Sequence, residues 1–261
     1  MLPFGGETLV LTHDTMVAGV HFLPDQDPAD VAWKLVATNI SDLAAKGAQP
    51  VGVLLSYHLT GDEARFLTGL HEALTAYGAP LLGGDTVSSA GPQTIGLTAL
   101  GRATHTPVPA RSGAQAGDHA YLTGPLGAAM IGLEALRSGA NPALSLPYRR
   151  PNALLAQGIA LAPHVTAMMD ISDGLLLDAT RLARASAVTL SLQSAPIPIA
   201  TPEHRRAEAL RWGDDYQLLF TAPANTPLPI PATRIGTVTA AGPAPLLLDG
   251  APPEGTLGYT H

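Results

Sequence analysis

The chain has 261 residues, of which 46% are hydrophobic, with a formal net charge of −7 and a pI near 5.6. This length and composition predict one large or two ordinary globular domains. The negative charge argues against a nucleic-acid or anionic-membrane partner, because phosphate-rich surfaces repel an anion. The sequence has no cysteine, which excludes disulfides, thiolate zinc sites and thiol catalysis. Residues 1–10 do not resemble a secretory signal, and no apolar run reaches the roughly 18 residues that cross a bilayer, so we expect a cytoplasmic protein.

Strands and helices alternate through the first half of the sequence. We predict strands over 8–14, 51–59 and 93–101, a short strand followed by a glycine turn in 79–86, and helices over 28–46 and from the cap Thr60 to Tyr77. The first helix begins after Asp27 as N-cap, with Pro28 at its first position. Thr60-x-x-Glu63 is a capping-box pattern for the second helix. The alternation is typical of a mixed α/β unit.

The second half repeats this alternation after residues 110–118, a small, polar, glycine-containing stretch that is typical of an interdomain joint. We predict strands over 119–124, 165–170, 188–192, 216–222 and 233–239, and helices over 127–138, 151–162, 174–185 and 203–211. The predicted domains are residues 1–113 and 114–261. "NISDLA" at 39–44 and "DISDGL" at 170–175 are similar, which is explained either by an internal duplication or by chance.

Acidic residues recur at predicted strand ends and glycine turns: Asp14, Asp85, Asp170, Asp173, Asp214 and Asp215, with Asp42 on a helix. The stretch "MMDISDGLLLD" (168–178) holds three carboxylates in an apolar run without Lys or Arg. A buried carboxylate without a partner costs on the order of several kcal/mol, so these groups need a cation, a raised pKa or water. Carboxylates at the strand ends of an α/β fold suit Mg²⁺, which commonly bridges them to phosphates. The set therefore predicts phosphate chemistry.

Several of these residues also have a purely structural interpretation. Asp42 could pair with Lys46 at i+4, Asp85 could be only a turn residue, and His21 could be a half-buried histidine. Helix capping could account for acids in 168–178. The sequence contains neither a P-loop motif nor G-x-G-x-x-G after a strand, so any nucleotide is bound in another way.

Six blocks resemble the thiamine-monophosphate kinase family in order and approximate spacing. They are "THDTMVAGVHF" (12–22), "NISDLAAKGAQP" (39–50), "LLGGDT" (81–86), "RSGAQAGD" (111–118), "MDISDGLLLD" (169–178) and "WGDDYQLLF" (212–220). The resemblance implies the two-domain α/β architecture, with mixed sheets, of the aminoimidazole ribonucleotide synthetase superfamily. It also implies a homodimer whose N-terminal strands pair between subunits. The implied activity is ATP- and Mg²⁺-dependent phosphorylation of thiamine monophosphate to thiamine diphosphate by direct transfer.

The resemblance further implies roles for individual residues. The implied metal ligands are Thr12, His13, Asp14, Asp42, Asp85, Asp170 and Asp173, of which Asp42, Asp85 and Asp170 are expected to be catalytic. Gly84, Asp85, Arg111 and Ser172 are expected at the nucleotide. His21, Asp214 and Tyr259 are expected at the thiamine part of the substrate.

Three departures from the family pattern lower the expected activity. The Gly-Asp-Asp block that supplies a metal ligand before the first strand is not in the printed sequence, His13 stands where a hydroxyl residue is usual, and Trp212 and Asp214 replace Gly and Glu. We therefore expect the chain as printed to fold and to turn over slowly or not at all. Two alternatives stay open at this point: another ATP-using enzyme of the superfamily, or a dimer that binds nucleotide or thiamine phosphates without turnover. The lack of cysteine counts against a selenophosphate synthetase.

Overall fold

The computed structural model describes residues 1–61, 63–139 and 141–260, so residue 261 of the predicted second domain lies outside the described residues. Two mixed sheets, each packed against helices, confirm the predicted α/β class. The segment 104–118 between the sheets contains neither helix nor strand. The predicted division at 113/114 falls in this segment and stays a prediction.

The first unit has five strands and two helices. They are β1 (Leu2–Phe4), β2 (Glu7–Val17), α1 (Pro28–Ala44), β3 (Ala48–His58), α2 (Glu63–Tyr77), β4 (Leu81–Val87) and β5 (Thr94–Ala103). The sheet order is β1-β2-β5-β3-β4, with β3 and β4 parallel and the other pairs antiparallel.

The second unit contains a six-stranded sheet of order β11-β8-β10-β6-β9-β7. Its elements are β6 (His119–Leu122), α3 (Ala128–Ser138), α4 (Pro142–Arg149), α5 (Leu155–Leu161), β7 (Ala167–Asp170), α6 (Leu175–Ser186), β8 (Val188–Leu192), a 3₁₀ turn (Glu203–Arg205), α7 (Arg206–Trp212), β9 (Leu218–Ala222), β10 (Thr233–Ala240) and β11 (Leu246–Leu248). Helix α4 and strands β1 and β11 were not predicted, and the helix predicted over 151–162 is shorter.

Helix α1 is the central element because it packs against both units. Its start is as predicted: the Asp27 carboxylate accepts a hydrogen bond from the Ala29 N–H at 2.9 Å, and Pro28 is the first helical residue. Leu35, Ile40 and Leu43 are fully buried in the hydrophobic core of the first unit. The burial of most α1 residues follows from this double contact.

Strand β2 continues beyond the predicted end at Asp14. Its pairing with β5 runs on through Asp14↔Leu97 to Val17↔Thr94, and Met16 is buried in the core. The period-two alternation continues past the acid, so Thr12, Asp14 and Met16 point toward α1 while His13 points to the opposite face.

The glycine turn predicted in 83–86 is wrong, because these residues belong to strand β4. Gly84 pairs with Leu55 and Asp85 with Ser56 of the parallel neighbour β3. A Cβ on Gly84 would lie 2.0 Å from the Leu55 carbonyl oxygen, so the close strand approach requires glycine there.

The two similar stretches, 39–44 and 170–175, differ in secondary structure. Residues 39–44 form the last turns of α1, whereas 170–175 cover the end of β7, a loop and the start of α6. The two stretches therefore do not occupy equivalent elements.

The first sheet leaves apolar side chains uncovered. Leu11 and Leu54 are exposed on the face turned away from α1, and Leu82 lies over Gly52. Phe4 of β1 is 68% exposed. Within the described ranges, no helix has the length and hydropathy needed to cross a membrane.

Candidate functional site

A cavity of about 480 Å³ lies between the two units and takes its walls from both. The first unit contributes Asp14, Thr15, Met16, Val20, His21, Lys34, Thr38 and Asp42; the second contributes Leu133, Arg137, Tyr148, Asp170, Ser172, Asp173, Trp212, Asp214, Tyr216 and Tyr259. Eight of the predicted site residues are therefore in one cleft: Asp14, His21, Asp42, Asp170, Ser172, Asp173, Asp214 and Tyr259.

Helix α1 fixes the length of this cleft. Lys34, Thr38 and Asp42 follow one another at steps of four residues and line the cavity. At a rise of 1.5 Å per residue, the backbones of Lys34 and Asp42 are about 12 Å apart along the helix axis. Carboxylates gather around the Asp42 end and aromatic side chains around the Lys34 end, which we call the acid end and the aromatic end.

Four carboxylates form the acid end: Asp14 from β2, Asp42 from α1, Asp170 from the end of β7 and Asp173 from the next loop. The Thr12 hydroxyl donates to Asp42, and the Ser41 hydroxyl donates to Asp170 at 2.7 Å. Thr12 therefore lies at the acid end, where its hydroxyl binds Asp42, and its role as a metal ligand stays a prediction.

The carboxylates of the acid end repel one another. Burial, followed by the charges of Asp42 and Asp173, raises the pKa of Asp14 to about 6. Burial and then the charge of Asp42 raise the pKa of Asp170 to about 7, which the Ser41 hydrogen bond partly opposes. In the described part of the chain, no Lys or Arg forms an ion pair with Asp14, Asp42 or Asp170. The acid end therefore favours a bound cation.

Two of the three carboxylates in 168–178 are paired with a positively charged side chain that lies just after this stretch in the sequence. Arg181 forms ion pairs with both Asp173 and Asp178. Asp178 is fully buried, accepts backbone N–H groups of Ser172 and Asp173 at 3.2 and 3.0 Å, and has a pKa raised to about 6 by burial. Asp178 thus has a structural task, which is to fix the loop that carries Ser172 and Asp173.

The simple pairing of Asp42 with Lys46 is not formed. The Lys46 ammonium donates instead to the Met168 carbonyl oxygen at 3.3 Å. Burial lowers the pKa of Lys46, the charge of Arg111 lowers it further, and the charges of Asp170 and Asp42 oppose this. Arg111 is thus close enough to act on Lys46, although it does not line the cavity.

The acid end resembles a site for Mg²⁺ together with phosphate more than an all-protein metal site. Among the residues that the structure describes, no three His, Asp or Glu side chains converge on one point. Mg²⁺ commonly retains water and binds through one or two carboxylates plus substrate phosphates. The mutually repelling carboxylates fit this mode of binding.

Three predicted residues lie away from the cleft in this chain. The His13 ring contacts the Thr98 hydroxyl at 2.9 Å and the Thr15 hydroxyl at 3.2 Å on the open face of the first sheet. Asp85, next to Gly84 on β4, is exposed and accepts the Thr86 N–H at 2.9 Å. The structure does not bring these side chains to the acid end, and their roles stay predictions.

The aromatic end contains both predicted and unforeseen residues. Tyr148 and His21 contact Lys34 there and Tyr216 contacts Asp214, and Trp212 and Tyr259 line the same cavity. The His21 Nδ1 accepts the Val17 N–H at 3.0 Å, and the Tyr259 N–H donates to the Asp173 carbonyl oxygen at 2.9 Å. Lys34 and Tyr148 were missed, because nothing in the local sequence around either residue indicates that they meet.

The loop that carries Asp214 has an unusual backbone. Gly213, Asp214 and Tyr216 have φ values of 95°, 59° and 50°, and for the two non-glycine residues this region is costly. The Asp214 N–H donates to the Ser172 carbonyl at 2.9 Å, and the Tyr216 N–H to the Ile171 carbonyl at 3.0 Å. The loop after β7 thus holds the Asp214 loop in place, as expected for strain at a functional site.

Comparison with known proteins gives consistent matches along the chain. Residues 2–103 match the family model "AIR synthase related protein, N-terminal domain", and residues 115–244 match "AIR synthase related protein, C-terminal domain". The thiamine-monophosphate kinase of Escherichia coli K12 is 38% identical over 264 residues, which cover 90% of this chain and 80% of that protein.

Solved structures agree with this result. The crystal structure of thiamine-monophosphate kinase from Stenotrophomonas maltophilia K279a superposes with a TM-score of 0.86 at 34% identity, covering 95% of this chain and 87% of that one. A structure described as "AaThiL complexed with AMPPCP and TMP" gives a TM-score of 0.90 at 31% identity, covering 99% and 89%. These matches extend over both units and therefore over both walls of the cleft.

Proposed function

The chain belongs to the thiamine-monophosphate kinase family of AIR synthase related proteins, and we propose that it transfers the γ-phosphoryl group of ATP to thiamine monophosphate. An oxygen of the acceptor phosphate forms the new bond to the γ-phosphorus, and the bond from that phosphorus to the β,γ-bridging oxygen breaks. The products are thiamine diphosphate and ADP. The observation that carries this proposal is the cleft, in which carboxylates lie around Asp42 and aromatic side chains around Lys34, two residues whose backbones are about 12 Å apart along α1.

The acid end is the proposed place of transfer. Asp14, Asp42, Asp170 and Asp173 would hold Mg²⁺, with Asp42 central because its charge acts on both Asp14 and Asp170. When bound, Mg²⁺ neutralises phosphate charge and aligns donor with acceptor. Ser41 and Thr12 keep two of these carboxylates oriented by hydrogen bonds from their hydroxyls.

Further metal ligands are proposed from the family resemblance alone, because His13 and Asp85 lie away from the acid end in this chain. His13 and Asp85 remain proposed metal ligands, and Thr12 a proposed additional one. Asp85 is also a proposed nucleotide contact beside Gly84. Both His13 and Asp85 belong to the first sheet, on strands β2 and β4.

The nucleotide is proposed to lie beside the loop after β7. Ser172 is exposed in the cleft and its backbone is fixed by Asp178, so its hydroxyl is available to ATP. Arg111 is exposed and acts electrostatically on Lys46 near the same acids, which suits a contact with polyphosphate.

The aromatic end is the proposed place for the thiamine part of the acceptor. His21, Asp214 and Tyr259 line it with Trp212 and Tyr148. Aromatic faces and a carboxylate suit a flat heterocycle with a permanent positive charge. With its thiamine part here, the acceptor phosphate points toward the acid end.

We propose that the enzyme works as a homodimer in the cytoplasm. Support for the dimer comes from the uncovered face of the first sheet, where Leu11 and Leu54 are exposed, and from Phe4 on the edge hairpin. Exposed apolar patches of this kind commonly mark protein interfaces. Leu54→Arg should shift the sedimentation coefficient toward that of a monomer, whereas Leu67→Arg on α2 should not; an unchanged dimer with Leu54→Arg would place the interface elsewhere.

The activity is tested with purified protein, ATP, MgCl₂ and thiamine monophosphate, with thiamine diphosphate separated and quantified by chromatography. We expect slow formation of thiamine diphosphate and ADP in equal amounts, and no product when thiamine replaces thiamine monophosphate, since thiamine lacks the acceptor phosphate. Asp170→Asn should abolish product formation, and Asp25→Asn on the exposed surface should not. ATP hydrolysis without thiamine diphosphate would contradict the proposal.

A further inference from the structure

Lys34 is one of only two lysines in the sequence, and its side chain is 2% exposed in the wall of the cleft. Its ammonium lies 2.7 Å from Asp214 Oδ2, 3.2 Å from the His21 carbonyl oxygen and 3.9 Å from the centre of the Tyr148 ring. A buried ammonium is costly unless charge and hydrogen bonds compensate it. All three compensating groups belong to the aromatic end.

These contacts join the two units at this end of the cleft. Lys34 and His21 belong to the first unit, whereas Asp214 and Tyr148 belong to the second. The Tyr148 hydroxyl also donates to the His21 carbonyl oxygen at 3.2 Å. The carbonyl of His21 therefore receives two donors, one from each unit.

The Asp214 carboxylate is held at both oxygens. Lys34 binds Oδ2, and the Tyr216 hydroxyl donates to Oδ1 at 2.8 Å. The backbone of Asp214 lies in the left-handed region at a φ of 59°, a conformation that surrounding contacts must maintain. One of those contacts is the cross-unit ion pair with Lys34.

We propose that Lys34 is a positioning residue for the acceptor substrate, acting by fixing the Asp214 carboxylate and the His21 segment against the thiamine ring. This inference rests on the proposed function. Lys34 does not contribute net attraction, because a cation beside a cationic heterocycle repels it, and its charge is matched by Asp214. Its contribution is to orient the groups that meet the substrate.

This assignment makes a prediction of definite sign. Removing Lys34 makes the aromatic end more negative, and if net charge governed binding, thiamine monophosphate would bind more tightly. If orientation governs binding, the released Asp214 and His21 bind it less tightly. Loss of one partner of a buried charge pair and slight misplacement of contact groups commonly cost roughly 10- to 100-fold.

The test compares Lys34→Met and Lys34→Gln with wild type by steady-state kinetics, and wild-type turnover is measured first. Absence of thiamine diphosphate from wild type refutes the proposed function and leaves the role of Lys34 to be read from equilibrium binding of thiamine monophosphate to the same proteins. With turnover, we expect KM for thiamine monophosphate to rise roughly 10- to 100-fold while KM for ATP stays within about twofold. Arg65→Met, which breaks the exposed ion pair with Asp27, is the control and should leave both values unchanged.

A double-mutant cycle with Asp214→Asn separates positioning from mere loss of stability. If Lys34 acts through Asp214, the double variant should bind thiamine monophosphate about as weakly as either single variant. An additive double variant, an unchanged or lowered KM for thiamine monophosphate, or equal increases in both KM values would overturn the proposal. Lys34→Gln keeps a donor in the site, so it supplies the same readout if Lys34→Met does not fold.

Discussion

Replacing the buried carboxylate of Asp170 by an amide should make the metal-free protein more stable and the enzyme inactive. Asp170 lies among Asp42 and the other acids, and burial is the largest cause of a pKa raised from 3.8 to about 7. At pH 8 Asp170 is ionised in both the folded and the unfolded protein, but only in the folded protein is the charge buried beside other carboxylates. Ionisation of Asp170 therefore lowers the free energy of unfolding. Asn removes the charge and can still accept the hydrogen bond from Ser41.

The magnitude follows from linkage. Each pH unit between the two pKa values corresponds to about 1.4 kcal/mol, so the full difference at pH 8 is about 4 kcal/mol. Asp42 shares the repulsion and water enters the cleft, so we expect about half of this, or about 2 kcal/mol. For a chain of this size, that is a rise in Tm of roughly 4–8 °C.

The assay is thermal unfolding of wild type and Asp170→Asn in EDTA at pH 8 and pH 5.5, with Asp25→Asn as an exposed control. A folded-state pKa above the unfolded value means that the native protein binds more protons between about pH 4 and pH 7, so wild-type stability falls as pH rises through that window. The advantage of Asp170→Asn should therefore be about half as large at pH 5.5 as at pH 8, because pH 5.5 lies about midway between the two pKa values. With MgCl₂ and ATP the order should reverse, because only wild type retains the carboxylate. A variant less stable than wild type in EDTA at pH 8 would refute this reasoning.

Three further substitutions probe the surroundings of the cleft. Asp42→Asn should lower kcat by at least about 100-fold, because it removes a proposed metal ligand, while Tm stays within a few degrees of wild type. Steady-state kinetics and thermal unfolding measure the two effects, and a residue that only formed a surface ion pair would leave kcat unchanged. Arg181→Met should lower the free energy of unfolding by about 1–3 kcal/mol at pH 8, and by less at pH 5.5 where the buried Asp178 takes up a proton; denaturant titration at both pH values measures this. Asp30→Ala should lower the free energy of unfolding by about 3–5 kcal/mol, because it leaves Arg149 and Arg150 without their buried carboxylate partner. A loss of less than about 1 kcal/mol in denaturant titration would contradict this.

Local signals in the sequence were sufficient for the helices that carry them. Asp27 followed by Pro28 fixed the start of α1, and Glu63 accepts the N–H groups of Thr60 and Gly61, as its capping-box pattern predicted. Both features depend on residues within one turn, so sequence shows them directly. Helix α4 has the same kind of start, with Asn141 as its N-cap, but Pro147 inside it breaks the helical pattern.

The candidate site was predictable where its chemistry is local and hidden where it depends on tertiary contacts. The acid run around Asp170 raised the question of a bound cation, with helix capping as the alternative, and the cation site stays a prediction. The ion pair between Lys34 and Asp214 joins residues 180 positions apart, and no local pattern marks it. The direction of His13 was decided by strand alternation in β2 once the strand was known to continue past Asp14.

Helix α1 explains how two units can build one site from both walls. Along its length it presents Asp30 to Arg149 and Arg150 at the end of α4, Lys34 to Asp214, and Ser41 to Asp170. These three contacts, at Asp30, Lys34 and Ser41, hold the second unit against helix α1 of the first unit. Phosphoryl transfer depends mainly on the alignment of donor and acceptor, so an element that holds the acid end and the aromatic end at a fixed separation contributes directly to catalysis. A change at any of the three contacts should therefore alter the distance between bound groups before it unfolds either unit.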